Sequence, residues 1–247
     1  MTKAASDSGG SVGTMVAGFW VVFEGGDGVG KSTQLDLLVE HLASPTGGGH
    51  DVLTTREPGG TALGREVRQA VMHGGHVAPR AEALLYAADR AHHIHTLVRP
   101  ALEAGRVVVQ DRYLDSSIVY QGGARGLGDE VERISMWATD GALPDLTVVL
   151  DMAPTGDRLT RDLDRVERET AAHAAQIREG FLALAARDPE RYVVVDAARS
   201  VEAVHLDVVI AVRAAMRTAR AVPPEPEEPS PRPEAWVAPS IEPWGTP

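Results

Sequence analysis

Apolar, mostly β-branched residues recur in five short runs along the chain, and longer stretches with amphipathic spacing separate them. The runs are Phe19–Glu24, 51–55, 106–110, Leu146–Asp151 and 191–196. Strands that are apolar almost throughout are typical of parallel sheets with helices on both faces. The pattern therefore predicts an α/β fold with three layers, in which a five-stranded parallel sheet is flanked by helices.

Two of the stretches between these runs have clear helical spacing. Residues 34–42 place apolar side chains at i, i+3, i+4 and i+7, and residues 79–104 predict a long helix. Ligands of open parallel sheets bind at the carboxyl ends of the strands. The polar motifs described below follow such ends, so we expect them to meet at one site.

The composition is that of a soluble globular protein, since 43% of the 247 residues are hydrophobic and the mean hydropathy is −0.13. No apolar run approaches the roughly 18 residues that span a bilayer, and the N-terminus lacks a signal-peptide pattern. The chain has no cysteine, which excludes disulfides and fits the cytoplasm. Its net charge of −11 disfavours a broad nucleic-acid surface. We expect a cytoplasmic protein that binds neither membranes nor nucleic acid.

The two ends of the chain differ in composition from the middle. Residues 1–17 are small, polar and glycine-rich, and residues 222–247 contain nine of the 16 prolines and five glutamates. Such segments bury too little apolar surface to offset the entropy of ordering them. We therefore expect disordered ends around one folded domain at residues 18–221. Trp236 and Trp244 could dock a partner, although a solvated acidic tail accounts for the same composition.

The most specific motif follows the first predicted strand, in residues 25–32 (GGDGVGKS). This spacing is that of a P-loop, whose glycines let backbone N–H groups wrap phosphates. Lys31 is one of only two lysines in the chain, and its ammonium would reach the β- and γ-phosphates, while the Ser32 hydroxyl would ligate Mg²⁺. The strand, the loop and the helix N-terminus together favour the binding of an anion. The motif predicts an ATP site and a P-loop NTPase fold.

Two further polar segments follow predicted strands. Residues 55–61 (TREPGGT) place a proline after Glu57 and two glycines that permit close approach to a bound molecule. Asp111 and Arg112 follow the run at 106–110, where a carboxylate can hold Mg²⁺-bound water and a guanidinium can clamp a phosphoryl oxygen. A buried structural ion pair is the alternative interpretation of Asp111 and Arg112.

The predicted long helix carries Tyr86 and Arg90 four residues apart, and therefore on one face. A flat ring beside a cation suits an aromatic base that is stacked on one side and hydrogen-bonded at its edge. Tyr86 could instead belong to the core. His92, His93 and His95 have poor helical spacing for one metal ion, and we interpret them as surface or core histidines.

An arginine-rich segment, residues 158–168 (RLTRDLDRVER), follows the fourth predicted strand. Most runs of this kind are solvated helix faces. Here the arginines lie where a mobile lid could close over ATP and bring a cation to the transferring phosphoryl group.

In their order these segments resemble the thymidylate kinase family of the bacterial type, with lid arginines. The resemblance extends over residues 19–216 and includes FEGGDGVGKSTQ, TREPGGT, LLYAADR, DRY, SSIVYQG, LDRVE and VDA. It implies transfer of the γ-phosphoryl group of ATP to dTMP, with Mg²⁺ as the cofactor. The family is typically homodimeric, and the long helix could supply the interface.

The resemblance also implies roles for individual residues. ATP would be held by Gly25, Gly26, Asp27, Gly28, Val29, Gly30, Lys31, Ser32 and Thr33. The dTMP site would contain Glu57, Pro58, Tyr86, Arg90, Arg112, Ser117, Tyr120, Gln121 and Glu167. The catalytic residues would be Lys31, Asp27, Arg112, Arg158, Arg161 and Arg165, and the metal ligands Ser32, Asp27 and Asp111. Tyr86 would stack on thymine, Arg90 would bind its exocyclic oxygen, and Tyr120 would favour deoxyribose. The loop after Asp196 would lie near adenine.

Three departures from the family pattern affect these roles. One subclass carries an arginine at the position of Val29, so here the cation would come from the lid. The lid is a few residues shorter than usual. Of its three arginines, Arg165 in the LDRVE segment aligns most securely with the family pattern. Ser117 stands where the family commonly has threonine or asparagine, and serine keeps the hydroxyl that a threonine would supply. Because the acceptor is already a phosphate anion, the implied mechanism is direct in-line transfer without a strong general base.

Three alternatives give different functions. Another nucleoside monophosphate or nucleoside kinase would keep the P-loop but change Tyr86, Arg90 and Tyr120. A non-catalytic nucleotide-binding partner recruited through the tail would keep the P-loop, and the intact Lys31, Arg112 and lid argue against this alternative without excluding it. A regulatory GTPase usually carries an Asn-Lys-x-Asp segment, and this chain contains no asparagine.

Overall fold

The computed structural model describes residues 18–154 and 173–221. They form one sheet of five parallel strands in the order β2-β3-β1-β4-β5. The strands are β1 Phe19–Glu24, β2 Val52–Arg56, β3 Val107–Asp111, β4 Leu146–Asp151 and β5 Tyr192–Asp196. The predicted α/β fold with a five-stranded parallel sheet is confirmed. The predicted N-terminal extension, the proline-rich tail and residues 155–172, which contain the whole arginine-rich segment, lie outside the described residues.

Helices connect the strands and cover both faces of the sheet. They are α1 Lys31–Ala43, α2 Ala62–Arg68, α3 Pro79–His93, α4 Arg99–Glu103, α5 Leu114–Ser117, α6 Glu130–Ala138, α7 Ala174–Arg187 and α8 Val201–Ala221. Wider π-helical turns extend α2 over Gln69–His73, join α3 to α4 over Ile94–Val98 and extend α5 over Ile118–Ala124. In the described parts of the chain, no helix is long and apolar enough to cross a membrane.

Several predicted bounds differ from the structure. The strands β2 and β3 begin and end one residue later than predicted, because Arg56 and Asp111 still pair across the sheet. Helix α1 begins at Lys31, three residues before the predicted start, since the end of the P-loop is already helical. The predicted helix at 79–104 is interrupted by the π-helical turn before Pro100, whose missing N–H cannot continue the regular pattern.

Alternate residues of β1 face the two sides of the sheet. Phe19, Val21 and Phe23 pack with α1 and α8 in one cluster of buried side chains. Trp20 and Val22 pack on the opposite face, against residues of α4, α5 and the turn between α3 and α4. Because β1 is the central strand and is buried on both faces, the loop at its carboxyl end is fixed in the middle of the molecule.

Candidate active site

A cavity of about 490 Å³ lies at the carboxyl ends of β1, β2 and β3. Many residues predicted to be functional line it: Asp27, Gly28, Gly30, Lys31, Ser32, Thr33, Glu57, Pro58, Tyr86, Arg90, Asp111, Arg112, Ser117, Tyr120 and Gln121. Parallel strands bring their ends to one edge of the sheet, which is why segments far apart in sequence meet here.

The loop between β1 and α1 is the P-loop. Gly25 has φ 134°, and a Cβ atom there would come within 2.5 Å of the Leu150 carbonyl oxygen, so both its conformation and its surroundings require glycine. Gly30, with φ 97°, precedes α1. The first N–H groups of α1 therefore point towards the cavity, as the sequence predicts for a phosphate site.

Lys31 is buried at the bottom of this loop. Its Nζ atom donates hydrogen bonds to the carbonyl oxygens of Gly25 at 2.9 Å and Gly26 at 2.5 Å. Burial lowers the pKa of Lys31 to about 8, and Arg112 adds to the lowering, while Asp27 and other nearby carboxylates oppose it. Among the residues that the structure describes, the ammonium has no ion-pair partner within salt-bridge distance, and a bound polyphosphate would supply the negative charge.

Arg112 reaches across the cavity entrance from the end of β3. Its Nη2 atom donates to Asp27 Oδ1 at 2.5 Å, and its Nη1 atom donates to Ser116 Oγ at 2.9 Å. Asp27 Oδ2 also accepts from the Tyr120 hydroxyl at 3.2 Å. Arg112 therefore pairs with Asp27 of the P-loop, whereas the considered ion pair with Asp111 is not the one observed.

Arg90 is nearly fully buried, and the protein itself binds most of its guanidinium. Nε donates to Glu57 Oε2, Nη1 to Ser135 Oγ and Nη2 to Ser117 Oγ, each at 2.9 Å. Arg90 lines the cavity, and these three hydrogen bonds fix the plane of its guanidinium. Tyr86 lines the same cavity and also packs with buried apolar side chains, so it belongs both to the core and to the cavity wall.

Glu57 lies directly after β2, and its carboxylate forms hydrogen bonds to side chains of α3. Its Oε1 atom lies 2.8 Å from His93 Nδ1, and His93 Nε2 lies 2.7 Å from Thr55 Oγ1. His93 is therefore a core histidine, while His92 and His95 are exposed, in line with the sequence prediction. In the described ranges no group of three His, Cys, Asp or Glu side chains could hold a metal ion.

Gln121 is oriented by a buried carboxylate. Glu82 is fully buried, and its Oε1 atom accepts a hydrogen bond from Gln121 Nε2 at 3.0 Å. The Arg125 guanidinium lies 3.4 Å from the other oxygen of Glu82. The Gln121 amide nitrogen therefore points away from the cavity, into the protein.

Two buried carboxyl groups near the site have raised pKa values. Burial, together with the nearby Asp115, raises the pKa of Glu24 to about 7. Burial and the nearby Glu57 raise the pKa of Asp89 to about 6. Neither group lines the cavity, so both lie behind its wall.

Sequence reasoning missed several residues of the cavity wall, namely Arg56, Arg68, Met72, Tyr113 and Ser116. Arg56, Tyr113 and Ser116 lie inside the TREPGGT, DRY and SSIVYQG segments and could have been found there. Arg68 and Met72 come from α2 and its π-helical extension, and no motif marks them. The predicted lid residues Arg158, Arg161, Arg165 and Glu167 lie outside the described residues, so their positions relative to the cavity stay predictions.

A P-loop after the central strand that shares one cavity with Tyr86, Arg90 and Arg112 is the arrangement expected of a P-loop kinase that acts on a small nucleotide. Residues 23–208 match the family model described as Thymidylate kinase. The chain belongs to the thymidylate kinase family, and its reaction is the phosphorylation of dTMP to dTDP. The resemblance inferred from the sequence is confirmed.

Individual relatives agree with this family. A thymidylate kinase of Clavibacter sepedonicus is 56% identical over 189 residues, which cover 74% of this chain and 88% of the relative. One of Leifsonia xyli is 54% identical over 206 residues, covering 80% and 96%. The crystal structure of thymidylate kinase from Ehrlichia chaffeensis superposes with a TM-score of 0.68 at 29% identity, covering 79% of this chain and 99% of that one.

Proposed function

We propose that the cavity binds ATP at the P-loop and dTMP between Tyr86, Arg90 and Arg112, and that Lys31 and Arg112 stabilise the phosphoryl group during direct in-line transfer. The observation that carries this assignment is that Lys31, at the start of α1, and Arg112, directly after β3, line one cavity together with Tyr86 and Arg90. One end of the cavity thus suits phosphates and the other suits a flat base.

The base end is proposed to read thymine by stacking and hydrogen bonding. Tyr86 supplies the ring, and Arg90 supplies a guanidinium whose plane Glu57, Ser117 and Ser135 fix. Because Ser117 is engaged with Arg90, its hydroxyl orients the guanidinium as well as facing the base. Pro58 and Gln121 complete the pocket.

The sugar and phosphate end is proposed to depend on Asp27, Arg112 and Tyr120. Tyr120 donates to Asp27, which also holds Arg112, so one carboxylate fixes both the ring that would favour deoxyribose and the guanidinium that would bind the acceptor phosphate. Because this phosphate is already an anion, positioning and charge neutralisation carry the reaction and no strong base is needed. Arg158, Arg161 and Arg165 would add the cation of the lid, with Glu167 beside the substrate.

Mg²⁺ is the divalent metal that fits these residues. Ser32 and Asp111 both line the cavity, and the buried Asp111 Oδ1 atom has no hydrogen-bond partner among the described residues. Hydroxyl and carboxylate oxygens are ligands that Mg²⁺ accepts. Asp27 is a weaker candidate, because Arg112 and Tyr120 already bind its oxygens. When bound, Mg²⁺ would neutralise charge on the ATP phosphates.

The proposal is tested by measuring ADP release with ATP and Mg²⁺ against dTMP, dUMP, UMP, AMP and thymidine, with EDTA as the metal control. We expect the highest kcat/KM with dTMP and no turnover with EDTA. A preference for another monophosphate would refute the assigned base pocket while keeping the P-loop kinase. Release of ADP that no acceptor stimulates would favour non-catalytic nucleotide binding instead.

We also propose that the protein is a cytoplasmic homodimer with α3 in the interface. Large apolar side chains are exposed on three neighbouring helices: Leu63 on α2, Leu84 on α3 and Trp137 on α6. Burial against a second copy would remove them from water. The lack of cysteine supports the cytoplasm.

Replacing Leu84 with glutamate is expected to convert the dimer to a monomer, because a charge would be buried in an apolar contact. Light scattering coupled to gel filtration measures this change. Leu206→Glu is the matched control, since Leu206 is 59% exposed and Leu84 56%, but Leu206 lies on α8. A monomeric wild type, or dissociation of both variants alike, would refute the proposed interface.

A further inference from the structure

Arg112 has an unusual backbone conformation. Its φ angle is 66°, in the left-handed region that residues with a Cβ atom rarely adopt. Such a conformation persists only where the surrounding structure holds it, and it occurs most often at functional sites. The Arg112 N–H donates to the Phe23 carbonyl oxygen at 2.9 Å, which ties the residue to β1.

The peptide group that follows Arg112 is held on both sides. Gln110 Nε2 donates to the Arg112 carbonyl oxygen at 2.9 Å, and the Tyr113 N–H donates to Glu24 Oε1 at 2.8 Å. The Gln110 amide is itself oriented, because its oxygen accepts from Trp20 Nε1 at 3.1 Å. These two bonds fix the plane of the peptide group between Arg112 and Tyr113. They therefore also fix the direction in which the Arg112 side chain extends from the backbone.

Glu24 also holds the side chain of Arg112 through Ser116. The Ser116 N–H donates to Glu24 Oε1 at 3.1 Å, and the Ser116 hydroxyl donates to Oε2 at 2.6 Å. With its proton directed to Glu24, the hydroxyl oxygen is free to accept from Arg112 Nη1 at 2.9 Å. One buried carboxylate thus fixes both the backbone and the guanidinium of Arg112.

We propose that Glu24 and Gln110 are positioning residues for phosphoryl transfer, which hold Arg112 in its left-handed conformation so that its guanidinium faces the acceptor phosphate. Both side chains are fully buried and neither lines the cavity, so they act through Arg112. The inference rests on the role proposed above for Arg112 and adds the structure that makes this role possible.

The first test compares Glu24→Leu, Glu24→Gln and Gln110→Leu. The two leucine variants remove one side of the support and are expected to lower kcat about 10²-fold, the scale of a misplacement of about 1 Å at a reacting group. Glu24→Gln keeps an oxygen for both N–H groups and is expected to restore most of the activity. The KM for ATP is expected to stay near that of the wild type, because the P-loop backbone is unchanged.

Thr147→Val is the matched control for burying an apolar side chain in the sheet. Thr147 is fully buried on β4, and its hydroxyl has no hydrogen-bond partner among the described residues. Its kcat is expected to equal that of the wild type. A loss of kcat in this variant as large as in Glu24→Leu would show a general effect of packing and overturn the proposal.

A double-mutant cycle with Arg112→Ala separates positioning from general stability. Without the guanidinium there is nothing to position, so Glu24→Leu or Gln110→Leu should lower kcat by less than about twofold further. Additive losses would overturn the proposal, as would wild-type kcat in both leucine variants. If Glu24→Leu does not fold, Gln110→Leu carries the same cycle. Wild-type kcat in Arg112→Ala itself would refute the role of Arg112, and with it this inference.

Discussion

Replacing Lys31 with alanine is expected to lower kcat by about 10²- to 10³-fold, the usual loss when a preorganised charge at a reacting group is removed. Its ammonium is held by two P-loop carbonyl oxygens and has no dedicated ion-pair partner in the described structure. It is therefore available to neutralise phosphates as charge develops in the transition state. The measurement is steady-state ADP release with ATP and dTMP, together with calorimetric binding of ATP.

The same variant should not be less stable than the wild type. Burial lowers the pKa of Lys31, which means that the folded protein pays a cost to keep the charge. Removing the ammonium relieves that cost, so we expect a thermal midpoint equal to or above that of the wild type. Arg99→Ala, which removes a half-exposed cation that does not line the cavity, is the control. A kcat within threefold of the wild type for Lys31→Ala would contradict the assignment.

Replacing Arg112 is expected to lower kcat by a similar factor, about 10²- to 10³-fold, and to raise the KM for dTMP. The guanidinium is held by Asp27 and Ser116, so it needs little reorganisation when the acceptor phosphate binds. The KM for ATP should change less, because Lys31 and the loop glycines remain in place. Initial rates at varied dTMP and varied ATP distinguish the two effects.

Comparing Arg112→Gly with Arg112→Ala separates the side chain from the backbone. Both variants lack the guanidinium and should be equally inactive. At φ 66°, however, alanine is strained and glycine is not, so the glycine variant should be more stable by about 1 kcal/mol in urea unfolding. Recovery of activity in the glycine variant alone would mean that backbone strain, and not the guanidinium, determines the rate.

The fold was predictable because its signals are local. The run at Phe19–Glu24, the P-loop and the periodic helix after it specify one strand, one turn and one helix by their own sequences. The ends of β2 and β3 were not predicted, since Arg56 and Asp111 belong to the sheet through strand pairing, Arg56 with Asp111 and Asp111 also with Phe23 of β1. Their polar side chains give no apolar signal that would extend the two runs.

The candidate site was predictable as a set of residues but not as a network. Tyr86 and Arg90 are neighbours on one helix, so their proximity follows from spacing. The bond between Asp27 and Arg112 joins residues 85 positions apart, and the bond between Arg90 and Ser135 joins residues 45 apart. Such pairs depend on which strands lie side by side and on how α3 packs against α6. No periodicity in one segment contains that information.

The hydroxyl of Ser135 offers a way to redesign the acceptor pocket without touching its surface. Ser135 is buried on α6 and does not line the cavity, yet it occupies one N–H group of the Arg90 guanidinium. An apolar side chain at this position would leave that donor buried and unpaired, and would loosen the hold on the guanidinium without replacing any residue that lines the pocket. Engineering of nucleotide kinases for modified bases should therefore sample such outer positions as well as the residues in direct contact with the base.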